Sequence, residues 1–83
     1  MDVEGETLAV LDSVLGLRGR GSGFSAGTPL LGAVPELDSM AVAAVLAGLE
    51  DHFGILVADD EVDAALFATV GSLTDFVRRK LAA

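Results

Sequence analysis

The stretch Leu37-Asp38-Ser39-Met40 decides the fold, because it separates a loop rich in glycine, serine and proline from an apolar, alanine-rich run. Asp38 or Ser39 can cap a helix through a short side-chain oxygen, and Gly54 suits the C-terminal end. Between them, apolar side chains recur at helical spacing, at Val42, Leu46, Leu49 and Phe53. The pattern therefore predicts a helix over 39–53 with an exposed serine at its start.

Such a serine, with no base near it in sequence, favours a site where another enzyme attaches a group. The alternative is that Ser39 is only the helix cap, and the local sequence by itself favours that reading.

Helical spacing also predicts a first helix over 3–17 and a short third helix over 59–67, which Asp60 could cap. The last helix is expected over 72–81, with Ser72-x-x-Asp75 as its capping box. Together these segments predict an all-α fold, a small four-helix bundle of three longer helices and one short one.

The chain has 83 residues, which suits one domain over 1–83, with a long loop over 18–38 between the first two helices. That loop is glycine-rich, but it lacks the preceding strand and the Gly-Lys-Ser/Thr ending of a phosphate-binding loop.

Composition excludes several functions. The chain contains no cysteine and has a net charge of −8, so disulfides, thiolate metal sites and nucleic-acid binding are not expected. The longest apolar run, 40–49, is about half the length of a membrane span. We therefore expect a cytoplasmic monomer that does not insert into membranes.

An enzyme is not expected either. The only histidine, His52, lies thirteen residues beyond Ser39 on the same predicted helix, roughly 20 Å away at about 1.5 Å per residue. The acids Glu50-Asp51 and Asp59-Asp60-Glu61 are adjacent in sequence and lack the alternation of a calcium loop. A solvated acidic face is the simplest interpretation, and such a face can also dock basic partners.

Three motifs resemble those of the acyl carrier protein family. They are Leu37-Asp38-Ser39-Met40, Leu49-Glu50-Asp51-His52-Phe53-Gly54-Ile55 and Thr69-Val70-Gly71-Ser72-Leu73. The family motifs read Asp-Ser-Leu, Leu-Glu-Glu-x-Phe-Gly-Ile and Thr-Val-Gly-x-Leu. The similarity extends over roughly residues 30–81. The string 30–42 also resembles specialised stand-alone carriers of bacterial exosortase-type and polysaccharide loci.

The resemblance implies that Ser39 carries 4'-phosphopantetheine, which a phosphopantetheinyl transferase moves from coenzyme A. The thiol of this arm would carry an acyl group as a thioester, as in fatty acid or polyketide biosynthesis. Asp38 would cap the helix and orient the site, and Met40 would contact the arm or a partner.

The resemblance also implies partners, namely an acyl-activating ligase, or a synthase or acyltransferase, with basic docking surfaces. Alanines stand along the second helix where the family often has acids, at Ala41, Ala43 and Ala44. The expected docking residues are therefore Glu50, Asp51, Asp59, Asp60 and Glu61. Two alternatives stay open: a peptidyl or aminoacyl carrier, and an acidic helical interaction module without a prosthetic group.

Overall fold

The computed structural model describes residues 2–83, and half of these residues lie in three α-helices. They are α1 (Val3–Leu15), α2 (Ser39–Phe53) and α3 (Val70–Ala82). Short 3₁₀ helices, Arg20–Gly23 and Asp59–Glu61, lie in the connections. The all-α class is confirmed, while the fourth helix of the predicted bundle is reduced to a single 3₁₀ turn.

Helix α1 ends two residues earlier than predicted. Asp2 caps its start by accepting the N–H of Gly5 at 3.0 Å. At the other end, Gly16 adopts a left-handed conformation with φ of 66°, which glycine tolerates better than other residues. Helix α1 therefore stops at Leu15, and Leu17 is buried in the connection that follows.

Helix α2 has the predicted bounds, and Gly54 ends it in the left-handed conformation, with φ of 67°. Its buried stripe differs from the predicted one. Val45 and Leu49 are fully buried, whereas Val42, Leu46 and Phe53 are only half-buried. The stripe is centred on the i, i+4 pair Val45 and Leu49, and the other three side chains pack along its edges.

The predicted helix over 59–67 is wrong in type and length. Its acids form the 3₁₀ helix Asp59–Glu61, and Val62 is already extended, with φ of −95° and ψ of 116°. The Asp63 carboxylate then accepts the N–H of Leu66 at 3.0 Å, which holds a turn. Aspartate side chains compete in this way with helical hydrogen bonds. Leu66 and Phe67 are nevertheless buried in the core.

The capping box of α3 also differs from the prediction. Thr69 accepts the N–H of Ser72, and the Ser72 hydroxyl accepts the N–H of Thr69, each at 3.1 Å. The helix therefore begins at Val70, two residues before the predicted start, and Ser72 is the third helical residue rather than the cap.

The long connection between α1 and α2 is held to the rest of the domain by backbone hydrogen bonds. Asp12 of α1 accepts the N–H groups of Gly19 and Gly21 at 3.2 and 2.9 Å. Further along, Gly71 donates to the Ala26 carbonyl at 2.7 Å. An isolated antiparallel bridge joins Pro29 to Thr69. These contacts tie the connection to α1 at Gly19 and Gly21, and to the start of α3 and its cap at Ala26 and Pro29.

The core lies between the three helices, with α1 packed on both α2 and α3. Its fully buried side chains include two threonines, Thr7 and Thr74, whose hydroxyls have no hydrogen-bond partner among the described residues. None of the described helices is long and apolar enough to cross a membrane.

Candidate functional site

Ser39 is the first residue of α2 and is exposed. The residue before it is the helix cap, because the Asp38 carboxylate accepts the N–H of Ala41 at 2.8 Å. Within residues 2–83, the Ser39 hydroxyl makes no hydrogen bond. The capping role that could have explained Ser39 is therefore taken by Asp38, and the serine oxygen is left accessible.

The backbone beside Ser39 is suited to an anion. The N–H groups of the first helical turn have no intrahelical partner, and Asp38 satisfies those of Ala41 and Val42 through its side chain and its carbonyl. Among the described residues, the N–H groups of Ser39 and Met40 have no acceptor. Together with the positive end of the helix dipole, they favour negative charge at the Ser39 oxygen.

The surface next to Ser39 is apolar. Leu37 is buried and anchors the approach to the helix, whereas Met40 is 82% exposed. Along α2 the outer face continues with the exposed alanines Ala43, Ala44 and Ala47. A protein that contacts Ser39 from this side meets Met40 and these alanines, none of which is charged.

An ion pair lies within the long connection, and its acidic member, Glu36, precedes Ser39 by three residues. Arg20 of the first 3₁₀ helix donates to Glu36 Oε2 and also to the Leu17 carbonyl, the latter at 3.1 Å. The Arg20 hydrogen bond lowers the pKa of Glu36 below its ordinary value, and a backbone hydrogen bond adds to this. This pair is not predictable from the sequence, because its partners are 16 residues apart and no local pattern links them.

The fold has a counterpart among solved structures. The solution NMR structure of a holo acyl carrier protein from Nitrosomonas europaea superimposes with a TM-score of 0.93 at 43% sequence identity, over the whole of both chains. This chain belongs to the acyl carrier protein family. No protein-family model matches the sequence, and no match was found among the curated proteins.

Membership in the acyl carrier protein family settles the choice between carrier and enzyme. Acyl carrier proteins are non-catalytic carriers, so this chain is not an enzyme. The only histidine, His52, lies in the last turn of α2. It forms a hydrogen bond with Glu6 of α1 at 2.9 Å. The pair joins two helices at the end of α2 that lies opposite Ser39. No cluster of side chains suited to a metal ion occurs among the described residues.

Two of the five acids expected to dock partners of this carrier are occupied by internal contacts. Glu50 accepts the N–H of Val57 at 2.8 Å, and Glu61 accepts the N–H of Ala58 at 2.9 Å. Glu61 also pairs with Lys80, whose hydrogen bond is the main cause of the lowered pKa of Glu61. The other three, Asp51, Asp59 and Asp60, are exposed.

Proposed function

We propose that this chain carries acyl groups as thioesters on a 4'-phosphopantetheine arm attached to the Ser39 oxygen. The observation that carries the proposal is the accessible Ser39 hydroxyl, released from capping by Asp38. It stands in a chain that is 43% identical to a protein described as a holo acyl carrier protein.

The residues around Ser39 fit such a group. A phosphodiester on the serine oxygen would lie beside the N–H groups of Ser39 and Met40, which have no acceptor within residues 2–83. In the attachment step, the Ser39 oxygen forms a bond to the phosphorus that carries the pantetheine in coenzyme A. Adenosine 3',5'-bisphosphate leaves, and the serine proton passes to a base of the transferase. The arm supplies the thiol, and the chain needs no cysteine of its own.

Partner enzymes are the next element of the proposal. A transferase and an acyl-activating ligase, synthase or acyltransferase with basic surfaces would be attracted to the exposed carboxylates Asp51, Asp59 and Asp60. Met40 would then make an apolar contact close to the reacting serine. We place this exchange in the cytoplasm, with the carrier acting as a monomer.

Two other functions make different predictions. An aminoacyl or peptidyl carrier would also load Ser39 but would accept its cargo from an adenylating amino-acid ligase. An interaction module without an arm would not use the Ser39 hydroxyl at all. The likeness of residues 30–42 to carriers of exosortase-type loci makes an acyl cargo in such a locus the more specific hypothesis.

Intact-mass measurement tests the attachment. The chain is incubated with coenzyme A, magnesium and a broad-specificity phosphopantetheinyl transferase, in parallel with Ser39→Ala. We expect the natural chain to gain one phosphopantetheine and the variant to gain none. A folded sample that gains no mass with several transferases would contradict the proposal and favour the interaction module.

The docking acids are tested in the same assay by the initial rate of loading. We expect Asp59→Asn/Asp60→Asn to load more slowly at low salt and to lose less of its rate as salt is raised, because screening removes the same attraction. Glu4→Gln is the control, since it removes a charge from the first turn of α1. Equal rates for all three chains at low salt would show that these aspartates do not attract the transferase.

A further inference from the structure

A cavity of about 240 Å³ lies between the first 3₁₀ helix and the segment that leads into α2. Its walls are largely apolar and include Phe24, Pro29, Val34 and Pro35. Arg20 and Glu36 complete the lining. Glu36 precedes Ser39 by three residues, so their Cα atoms are at most about 11 Å apart.

One polar atom of this lining has no partner. Glu36 Oε2 is bound by Arg20, but Glu36 Oε1 is buried and has no hydrogen-bond partner among the described residues. A buried acceptor without a donor is costly, and native structures usually satisfy such groups. The Glu36 side chain as a whole is 32% exposed, so a turn of its carboxylate would bring this atom within reach of a donor in the cavity and remove the cost.

The proposed arm carries both the apolar groups and the hydrogen-bond donors that this cavity could bind. Next to its phosphate it carries a dimethyl-substituted carbon, then a hydroxyl, and then amide N–H groups. The methyl groups match apolar walls, the hydroxyl or the first amide can donate to a carboxylate oxygen, and a guanidinium pairs well with a phosphate.

We propose that this cavity holds the dimethyl-bearing part of the arm, with Glu36 Oε1 accepting a hydrogen bond from the arm's hydroxyl or first amide. The inference rests on the function proposed for Ser39. Arg20 is 59% exposed, so a turn of its side chain toward the phosphate would leave the core undisturbed but would exchange its bonds to Glu36 and the Leu17 carbonyl for one to the phosphate. The arm would thus be held on the loop side of Ser39, and its thiol end would extend beyond the cavity.

The test uses the loaded chain, prepared with coenzyme A carrying ¹³C in its two methyl groups, and isotope-filtered NMR. We expect nuclear Overhauser contacts from these methyl groups to the Phe24 ring and to the Val34 methyl groups. Ala33 lines the cavity and is exposed, so Ala33→Leu should fill the space and abolish the contacts. The matched control is Ala43→Leu, on the exposed face of α2, which should retain them.

Two results would overturn the inference. One is a loaded chain that shows none of these contacts and leaves the Phe24 and Val34 chemical shifts as in the unloaded chain. The other is contacts that persist in a folded Ala33→Leu. Intact mass is measured before the NMR experiment. A chain that gains no phosphopantetheine would contradict the proposed function itself. Mass gain without contacts counts only against the cavity.

Discussion

The carboxylate of Asp38 caps helix α2 through the N–H of Ala41 at 2.8 Å, and the hydroxyl of the next residue, Ser39, is thereby left exposed. Neighbouring residues thus divide two roles that a single serine could have filled. Stability of the helix start depends on Asp38, whereas the proposed attachment uses the Ser39 oxygen.

This division predicts opposite effects for two substitutions. Asp38→Ala should lower the free energy of unfolding by about 1 kcal/mol, because the Ala41 N–H loses its acceptor. Ser39→Ala should change it by less than about 0.5 kcal/mol, since the exposed hydroxyl bonds to nothing among residues 2–83, yet it should abolish loading. Urea denaturation and intact mass measure the two effects. Equal destabilisation by both variants would return the capping role to Ser39.

Thr69 is the cap of α3, and Thr74 lies within the helix. Removal of their hydroxyls should change the free energy of unfolding in opposite directions. Thr69→Val removes the oxygen that accepts the Ser72 N–H and should cost about 1 kcal/mol. Thr74→Val removes a buried hydroxyl without a partner and should stabilise the fold by about 1 kcal/mol. Thermal and urea unfolding test both. A destabilised Thr74→Val would mean that the Thr74 hydroxyl has a bound partner, such as water, in solution.

A substitution at Gly71 would test how tightly the long connection is held against α3. A Cβ at this position would lie 2.9 Å from the Ala26 carbonyl oxygen, which is backbone and cannot swing aside. Gly71→Ala should therefore destabilise the protein by about 1–3 kcal/mol.

Gly27→Ala is the control for Gly71→Ala. A Cβ at Gly27 would meet nothing within 4 Å, and Gly27 does not have the positive φ that would strain an alanine. Its unfolding free energy should be unchanged or slightly raised. If both alanine variants are equally stable, the segment around Ala26 is able to shift away from α3.

The lowered pKa values of Glu36 and Glu61 predict a specific loss of stability in acid. Each carboxylate binds protons more weakly in the folded chain than in the unfolded one. Its contribution to the free energy of unfolding is therefore fully present above the unfolded pKa of about 4.3. It is lost as the pH falls through the lowered folded value. Urea midpoints measured between pH 7 and pH 2 should therefore drop in this range.

The source of this acid sensitivity is tested by removing the cations. Arg20→Gln and Lys80→Gln each remove the hydrogen bond that is the main cause of one shift. Each variant should lose less stability between neutral and acid pH than the natural chain. Arg79→Gln is the control, because Arg79 forms no ion pair among the described residues. Identical pH profiles for all four chains would exclude these pairs as the cause.

Local sequence determined helix α2 and the exposed position of Ser39 at its start. The bounds of α2 depend on contacts within four residues: the Asp38 cap at one end and the left-handed Gly54 at the other. Such interactions are encoded in neighbouring residues, and they place Ser39 at an exposed helix start regardless of the rest of the chain. The motif resemblance to the carrier family rests on the two ends of α2 and on the start of α3.

Only the tertiary structure decided which atoms are paired over distance. The segment 59–67 does not form the predicted α-helix. Helix α3 begins at Val70, whose N–H donates to the Thr28 carbonyl. Arg20 meets Glu36, and His52 meets Glu6 across 46 residues. These contacts depend on how the segments pack against each other, because side-chain periodicity specifies a buried face but does not specify its partner.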